Sequence, residues 1–313
     1  MVRVAVVQAG SVLFDTEATL AKLERFARDA AAKDAELVLF PEAFVGGYPK
    51  GIDFGARVGS RSEGGRDQFQ RYYNAAITLD GPEAGRISAL AAKLKLHLVV
   101  GVIERDGGTL YCAVLHFASD GQLVGRRRKL MPTAMERLVW GMGDGSTLSV
   151  TQTSLGRVGA IICWENYMPM LRMAMYAQGV EIYCAPTVDD RDNWQASMRH
   201  IALEGRCYVL SAVQYLTRAD CPPDYAPIQG DAPDTVLIRG GSAIYGPLGE
   251  EIAAPVYGCE TILTADIDLG RLGRGKYDFD VVGHYSRPDI FALNVDRRPK
   301  LAVNMIGDDP PED

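Results

Sequence analysis

Histidine is scarce, and the motifs missing with it narrow the chemistry. Four occur in 313 residues, at 97, 116, 200 and 284, and none stands in His-Glu-x-x-His, the helical zinc-protease signature. No Cys-x-x-Cys pair is present to hold zinc or to cycle as a redox dithiol. The Gly-x-Ser-x-Gly elbow of serine hydrolases is absent too. Positive charge is in deficit: 33 Lys and Arg against 40 Asp and Glu leave a net charge of -7. A surface with that bias repels nucleic acid and anionic lipid, and the one basic run, at 126–129, is too short to reverse it. No apolar stretch reaches the roughly 18 residues of a membrane span. The first residues lack the basic start, apolar core and small-residue cleavage site of a signal peptide. There is no Asn-x-Ser/Thr sequon. The expectation is a cytoplasmic protein that binds neither nucleic acid nor membrane.

What is present is an ordinary globular composition, 47% hydrophobic and 23% charged. A core of this size needs no disulfide or metal. The six cysteines, at 112, 163, 184, 207, 221 and 259, are widely spaced and mostly sit in apolar runs, which points to reduced thiols. Short buried strands alternate with amphipathic helices. Val2-Arg-Val-Ala-Val-Val-Gln8 is a strand, and Asp15 or Thr16 caps a helix carrying Leu20, Leu23, Ala27 and Ala30 at helical spacing. Leu37-Val-Leu-Phe40 is a strand, 46–66 a glycine-rich loop, and Pro82 opens a second helix. Residues 98–103 form a strand, and 111–117 and 122–130 a hairpin around Ser-Asp-Gly. The second half repeats the order: strands at 158–163, 180–185 and 207–213, helices at 169–178 and 194–204, then a hairpin and a last strand at 261–267. This pattern predicts an α/β fold of two half-sheets packed together, with helices on the outer faces. Residues 1–295 form one domain, and 296–313 an extended or disordered tail that offers an oligomer contact.

Three polar residues stand where buried strands finish: Glu42 after Leu-Val-Leu-Phe-Pro, Lys129 after an arginine-rich strand, and Cys163 after Val-Gly-Ala-Ile-Ile. Strand C-termini of α/β sheets line the ligand crevice. Cys163 sits on a sharp strand-to-helix turn, which exposes a nucleophile and aims backbone N–H groups at its reaction centre. A neighbouring helix start and a lysine are expected to lower its pKa. A buried structural cysteine is the alternative, and it is the reading adopted for Cys112, Cys184, Cys207 and Cys259. Glu42 suits a partly buried general base; a loop carboxylate capping a helix is its alternative. Lys129 suits a cationic stabiliser of a tetrahedral intermediate. Alternation places Arg127 with Lys129 on one face and Arg126 with Arg128 on the other, and a charged edge strand is the simplest account of the arginines. Glu136 is either a second carboxylate positioning Lys129 or a surface charge near Arg137. Gly141-Met-Gly-Asp-Gly145 lacks the strand and helix of a dinucleotide loop, and 189–193 fails the calcium-loop pattern at its sixth and twelfth positions. His200 reads as structural. No cofactor or metal is expected.

Phe40-Pro-Glu-Ala-Phe-Val-Gly-Gly-Tyr-Pro49, Arg128-Lys-Leu-Met-Pro-Thr133 and Cys163-Trp-Glu-Asn-Tyr-Met-Pro169 resemble, in order and spacing, the glutamate, lysine and cysteine motifs of the nitrilase superfamily. The likeness runs on through Gly241-Ser-Ala-Ile and Ala265-Asp-Ile-Asp. It implies a four-layer α-β-β-α sandwich that assembles as a homodimer or a larger, even spiral, homo-oligomer. It implies catalysis by Glu42, Lys129 and Cys163, with Glu136 as the family's additional glutamate. Trp-Glu after the cysteine is similar to true nitrilases. The expected reaction is hydrolysis of an organic nitrile by water to the acid and ammonia, through a Cys163 thioimidate and thioester. Tyr48, Thr133, Trp164 and Trp194 lie near the motifs and are candidates for a pocket that favours aromatic or arylaliphatic nitriles; core packing is their alternative. An amidase or carbamoylase of the same superfamily is the alternative enzyme. A non-catalytic oligomeric scaffold is the alternative outside enzymes, and it predicts a missing triad member.

Overall fold

Alternation along the strands decides the layering. The structure is a computed structural model that describes residues 1–303. In β1 (Val2–Gln8), Val4 and Val6 face one way and Ala5 and Val7 the other, and all four are buried. A strand covered on both faces belongs inside a stack of layers rather than at a solvated sheet face.

The first half continues with α1 (Thr16–Ala31), β2 (Leu37–Leu39), a small hairpin of β3 (Ala56–Arg57) and β4 (Ser60–Arg61), α2 (Glu63–Ala75) and α3 (Pro82–Leu94). It ends with β5 (His97–Asp106), β6 (Thr109–Phe117) and β7 (Leu123–Arg128). The second half has β8 (Val150–Thr153), β9 (Gly156–Ala160), α4 (Pro169–Ala177), β10 (Ile182–Thr187), α5 (Asp192–Gly205) and β11 (Tyr208–Val213). Four further strands follow: β12 (Tyr215–Thr217), β13 (Val236–Tyr245), β14 (Glu251–Tyr257) and β15 (Thr261–Ile267). One sheet has the order β15-β1-β2-β5-β6-β7. The other runs β12-β13-β11-β10-β9-β8, with β14 also on β13. β1, β2 and β5 are parallel neighbours, as are β9, β10 and β11.

Three apolar layers separate the four structural ones. Val4, Val6, Leu39 and Val99 meet Val158, Ile182, Cys184 and Leu210 between the sheets. Leu20, Leu23 and Phe26 of α1 and Ile87 and Leu90 of α3 cover the outer face of the first sheet. Leu171 and Met175 of α4 and Trp194, Met198 and Ile201 of α5 cover the second. This is the α-β-β-α sandwich that the sequence predicts.

Boundaries differ in places. The expected loop at 46–66 gives way to α2, whose cap is Ser62 accepting from Gly65 N at 3.1 Å. Gly64 and Gly65 hid that start from the helical pattern. The strand before Cys163 stops at Ala160, so the cysteine stands free of the ladder. Cys259 is exposed rather than buried. β15 leaves the second half and pairs with β1, Val2 opposite Ile267 and Gln8 opposite Thr261. Residues 296–303 of the expected tail carry no helix or strand, and Lys300 N donates to Asp144 Oδ2 at 2.7 Å. The rest of that tail, 304–313, lies outside the described residues. Among the described residues no helix is long and apolar enough to cross a membrane.

Candidate active site

Five side chains meet where strands of both sheets end. Glu42 follows β2, Lys129 follows β7, Cys163 follows β9, Thr187 ends β10 and Gln214 follows β11. Each connecting loop turns sharply. Ala43, Ala134 and Cys163 have φ of 49°, 47° and 50°, a left-handed conformation that costs a non-glycine residue energy and persists only where the surroundings impose it. Gly101 of β5 makes room for the first loop: a Cβ there would stand 2.0 Å from Pro41 O and 2.8 Å from Glu42 Cα.

Lys129 is the hub. Its Nζ donates to Glu42 Oε1 and to Glu136 Oε2, each at 2.7 Å, with no exposed side-chain surface on Lys129 or Glu42. Glu136 is held in turn by Thr133 N at 2.6 Å and by the Tyr48 hydroxyl at 2.9 Å. It is a member of the buried cluster and not a surface charge beside Arg137. Cys112 donates its thiol to Glu42 Oε1 at 3.5 Å, and Gln214 Nε2 holds the Glu42 carbonyl at 2.7 Å. The second carboxylate oxygen, Oε2, is buried and accepts no hydrogen bond of ordinary geometry. The Cys163 thiol faces the same carboxylate closely enough to act on its pKa.

Burial dominates the electrostatics. It raises Glu42 above the usual carboxylate range; Lys129 opposes that shift and Glu136 adds to it. Burial also disfavours the ammonium of Lys129, but Glu42 and the surrounding thiols and Glu136 outweigh it and hold its pKa high. For Cys163, burial and then Glu42 push the thiol well above its ordinary value, against Lys129 and the Thr187 hydroxyl. The expected depression of the thiol pKa is therefore corrected. The sulfur rests protonated and needs a base beside it, a role for which Glu42 is placed.

A buried frame holds the cluster. Glu165 Oε1 accepts from Arg127 at 2.9 Å and from Leu130 N at 2.7 Å, and its Oε2 from Ile162 N at 3.3 Å. This ties the lysine loop to the cysteine turn. Asn166 Nδ2 donates to Ile161 O and Cys163 O, and Tyr183 donates its hydroxyl to Asn166 Oδ1 at 2.7 Å. Arg126 and Arg128 pair with Glu104 on the opposite side. The alternation of the arginines is as expected, but a charged edge alone does not account for them: all three are committed to carboxylates.

A pocket of about 250 Å³ opens over Cys163, lined by Tyr48, Lys50, Thr133, Glu136, Trp164, Val188 and the 189–191 turn. Trp164 is half exposed there; its Nε1 donates to Asp189 Oδ2 at 2.7 Å and Arg191 stacks on its ring at 4.7 Å. Trp194 does not belong to the pocket. It is fully buried under α5, bonded to Ser211 Oγ at 2.8 Å, so its expected place in substrate binding is corrected to core packing.

Residues 3–277 match the carbon-nitrogen hydrolase family. The chain belongs to that family. It is 56% identical over 301 residues to an aliphatic nitrilase of Sinorhizobium fredii, covering 96% of this chain and 97% of the relative. It is 54% identical over 310 residues to a bifunctional nitrilase/nitrile hydratase of Lupinus angustifolius, covering 97% and 88%. Among solved structures, a carbon-nitrogen hydrolase from Helicobacter pylori G27 superposes with a TM-score of 0.71 over 92% of this chain and 96% of that one, at 21% identity, which speaks to the fold. This carbon-nitrogen hydrolase is an enzyme of the nitrilase branch, acting on carbon–nitrogen bonds other than peptide bonds. Thr187, Cys112 and Gln214 are the members of its buried cluster that sequence reasoning missed. Each is an uncharged residue inside an apolar strand or at its end, with no local signal.

Proposed function

We propose that the enzyme hydrolyses an organic nitrile to its carboxylic acid and ammonia, with Cys163 as nucleophile, Glu42 as base and Lys129 as cationic stabiliser. One observation carries the reading: a buried ammonium spans two carboxylates at 2.7 Å, and one oxygen of Glu42 is left without a partner beside the thiol. Glu42 takes the thiol proton as sulfur bonds to the nitrile carbon, and returns it to nitrogen to give a thioimidate. Lys129 and the N–H of Trp164, at the open start of a 3₁₀ turn, face the charge that develops on nitrogen. Glu42 then deprotonates a water that adds to the same carbon. Ammonia leaves with the proton and a thioester remains; a second water releases the acid and restores the thiol. Glu136 fixes the Lys129 ammonium through one bond and Tyr48 through another.

Tyr48, Thr133 and Trp164 supply the pocket walls that support a preference for aromatic or arylaliphatic nitriles. The small volume, and a relative named as an aliphatic nitrilase, favour short aliphatic nitriles as the competing reading. Ammonia release from matched aliphatic, aryl and arylaceto nitriles and from their amides separates these readings, and also separates nitrilase from amidase. Cys163→Ala is expected to abolish release while leaving the circular dichroism spectrum intact; undiminished turnover by that variant would refute the scheme. Assembly as a homo-oligomer and a reducing, cytoplasmic setting belong to the same proposal. They are supported by exposed Met170, Tyr277 and Phe291 and by the free thiols, and sedimentation tests the assembly.

A further inference from the structure

The scheme starts only if the proton on Cys163 points at Glu42, and the polar atoms around the sulfur decide where it points. On the carboxylate side, Oε1 is already occupied by Lys129 at 2.7 Å and Cys112 at 3.5 Å. Oε2 is vacant. On the sulfur side stands Thr187, fully buried, with Oγ1 3.1 Å from Cys163 Sγ. That hydroxyl oxygen accepts the backbone N–H of Asp189 at 2.9 Å. Its own proton has one acceptor among the described residues, the sulfur. A buried hydroxyl proton left without an acceptor is costly, so the hydroxyl donates to Sγ. A sulfur that receives a proton from one side turns its own S–H to another, and on the carboxylate it faces the unsatisfied acceptor is Oε2.

We propose that Thr187 is a positioning residue for the nucleophile: it aims the Cys163 S–H at Glu42 Oε2 and then holds the thiolate as the proton leaves. The inference rests on the reading of Cys163 and Glu42 given above. The donor is itself locked. Asp189 is clamped by Arg191 and by the Trp164 indole at 2.7 Å, so the N–H that occupies Thr187 stays in place when the pocket fills. Proton bookkeeping is simple: one proton moves from Sγ to Oε2, and the hydroxyl proton of Thr187 stays on oxygen throughout.

The test compares Thr187→Val, which keeps shape and removes the hydroxyl, with Thr187→Ser, which restores it, and with Thr187→Ala should valine not fold. Two readouts are taken on each full-length protein: steady-state nitrile hydrolysis, and the pH dependence of iodoacetamide labelling at Cys163, located by peptide mass spectrometry. Loss of one hydrogen bond to a charged sulfur lowers kcat and the labelling rate at neutral pH by about 10- to 100-fold, with KM nearly unchanged. The apparent pKa of labelling rises by about one unit in Val and Ala and returns in Ser. A purely structural role moves thermal stability alike in all three variants and leaves the labelling pKa where it was. That result, or a Ser variant as impaired as Val, overturns the inference. Full activity of Cys163→Ala instead overturns the parent scheme, whatever Thr187 does.

Discussion

Arg127 and Lys129 lie two residues apart, point to the same side of the chain and are both buried, yet they do opposite work. Arg127 spends its guanidinium on Ala160 O, Arg128 O and Glu165, and Glu165 spends its remaining capacity on two backbone N–H groups. That network is closed. Lys129 bridges two carboxylates and leaves one oxygen of Glu42 without a bond. That network is open. A closed buried network fixes geometry; an open one keeps a reactive group in a dry, low-dielectric site where its affinity for a proton is high. The neighbouring closed pair is what keeps the open one from relaxing.

Changes on each side test the contrast. The largest effect falls on the open side. Glu42→Gln keeps size and removes the base, and kcat is expected to fall by about 10⁴-fold or more while the melting temperature moves only a few degrees. Equal loss of stability and activity would erase the contrast. On the closed side, Arg127→Met leaves Glu165 buried without a counterion. It is expected to cost about 3–5 kcal/mol in denaturant unfolding, with activity lost in proportion to unfolding. A stable but inactive variant would mean that Arg127 belongs to the chemistry.

Glu136→Gln is the intermediate case, because it loosens Lys129 without removing base or nucleophile. A fall of about 10- to 100-fold in kcat is expected. Glu136 raises the Glu42 pKa, so its neutralisation should move the acid limb of kcat/KM to lower pH. A shift to higher pH would contradict the assigned electrostatics. The smallest effect concerns the cavity between the sheets where His116 lies beside Arg127. Burial, and then His97 at 3.2 Å, pull His116 down to about 3. Its folded pKa lies below its unfolded one, so the neutral ring's contribution is complete above about pH 6.5 and is lost as pH falls toward 3. Between pH 6.5 and 5.5 His116 should cost roughly 1 kcal/mol of stability, and His116→Gln should flatten that slope.

Much of this was legible from period and position. The apolar run Val2–Gln8 announced a buried strand, and three polar residues at strand ends announced the crevice. Alternation at 126–129 put Arg127 on one face with Lys129; the structure buries that face, and a buried guanidinium demands a carboxylate. The sequence could not supply Glu165 as that partner, because the two stand 38 positions apart in the chain. Thr187 and Cys112 were illegible for a related reason. A hydroxyl or thiol in an apolar strand looks like packing until the facing strand is known. α2 was hidden by composition: two glycines in its first turn and few apolar residues left no helical stripe. Trp194 was misplaced because nearness to a motif in sequence says nothing about which face of a helix bears it.

The pairing of β15 with β1 has a consequence for biosynthesis. The strand that closes the first sheet leaves the ribosome some 250 residues after the one it covers. Until then β1 presents an unpaired valine-rich edge, the kind of surface that recruits other nascent chains. A product truncated before Thr261 should therefore be found in inclusion bodies or bound to chaperones rather than as a folded fragment.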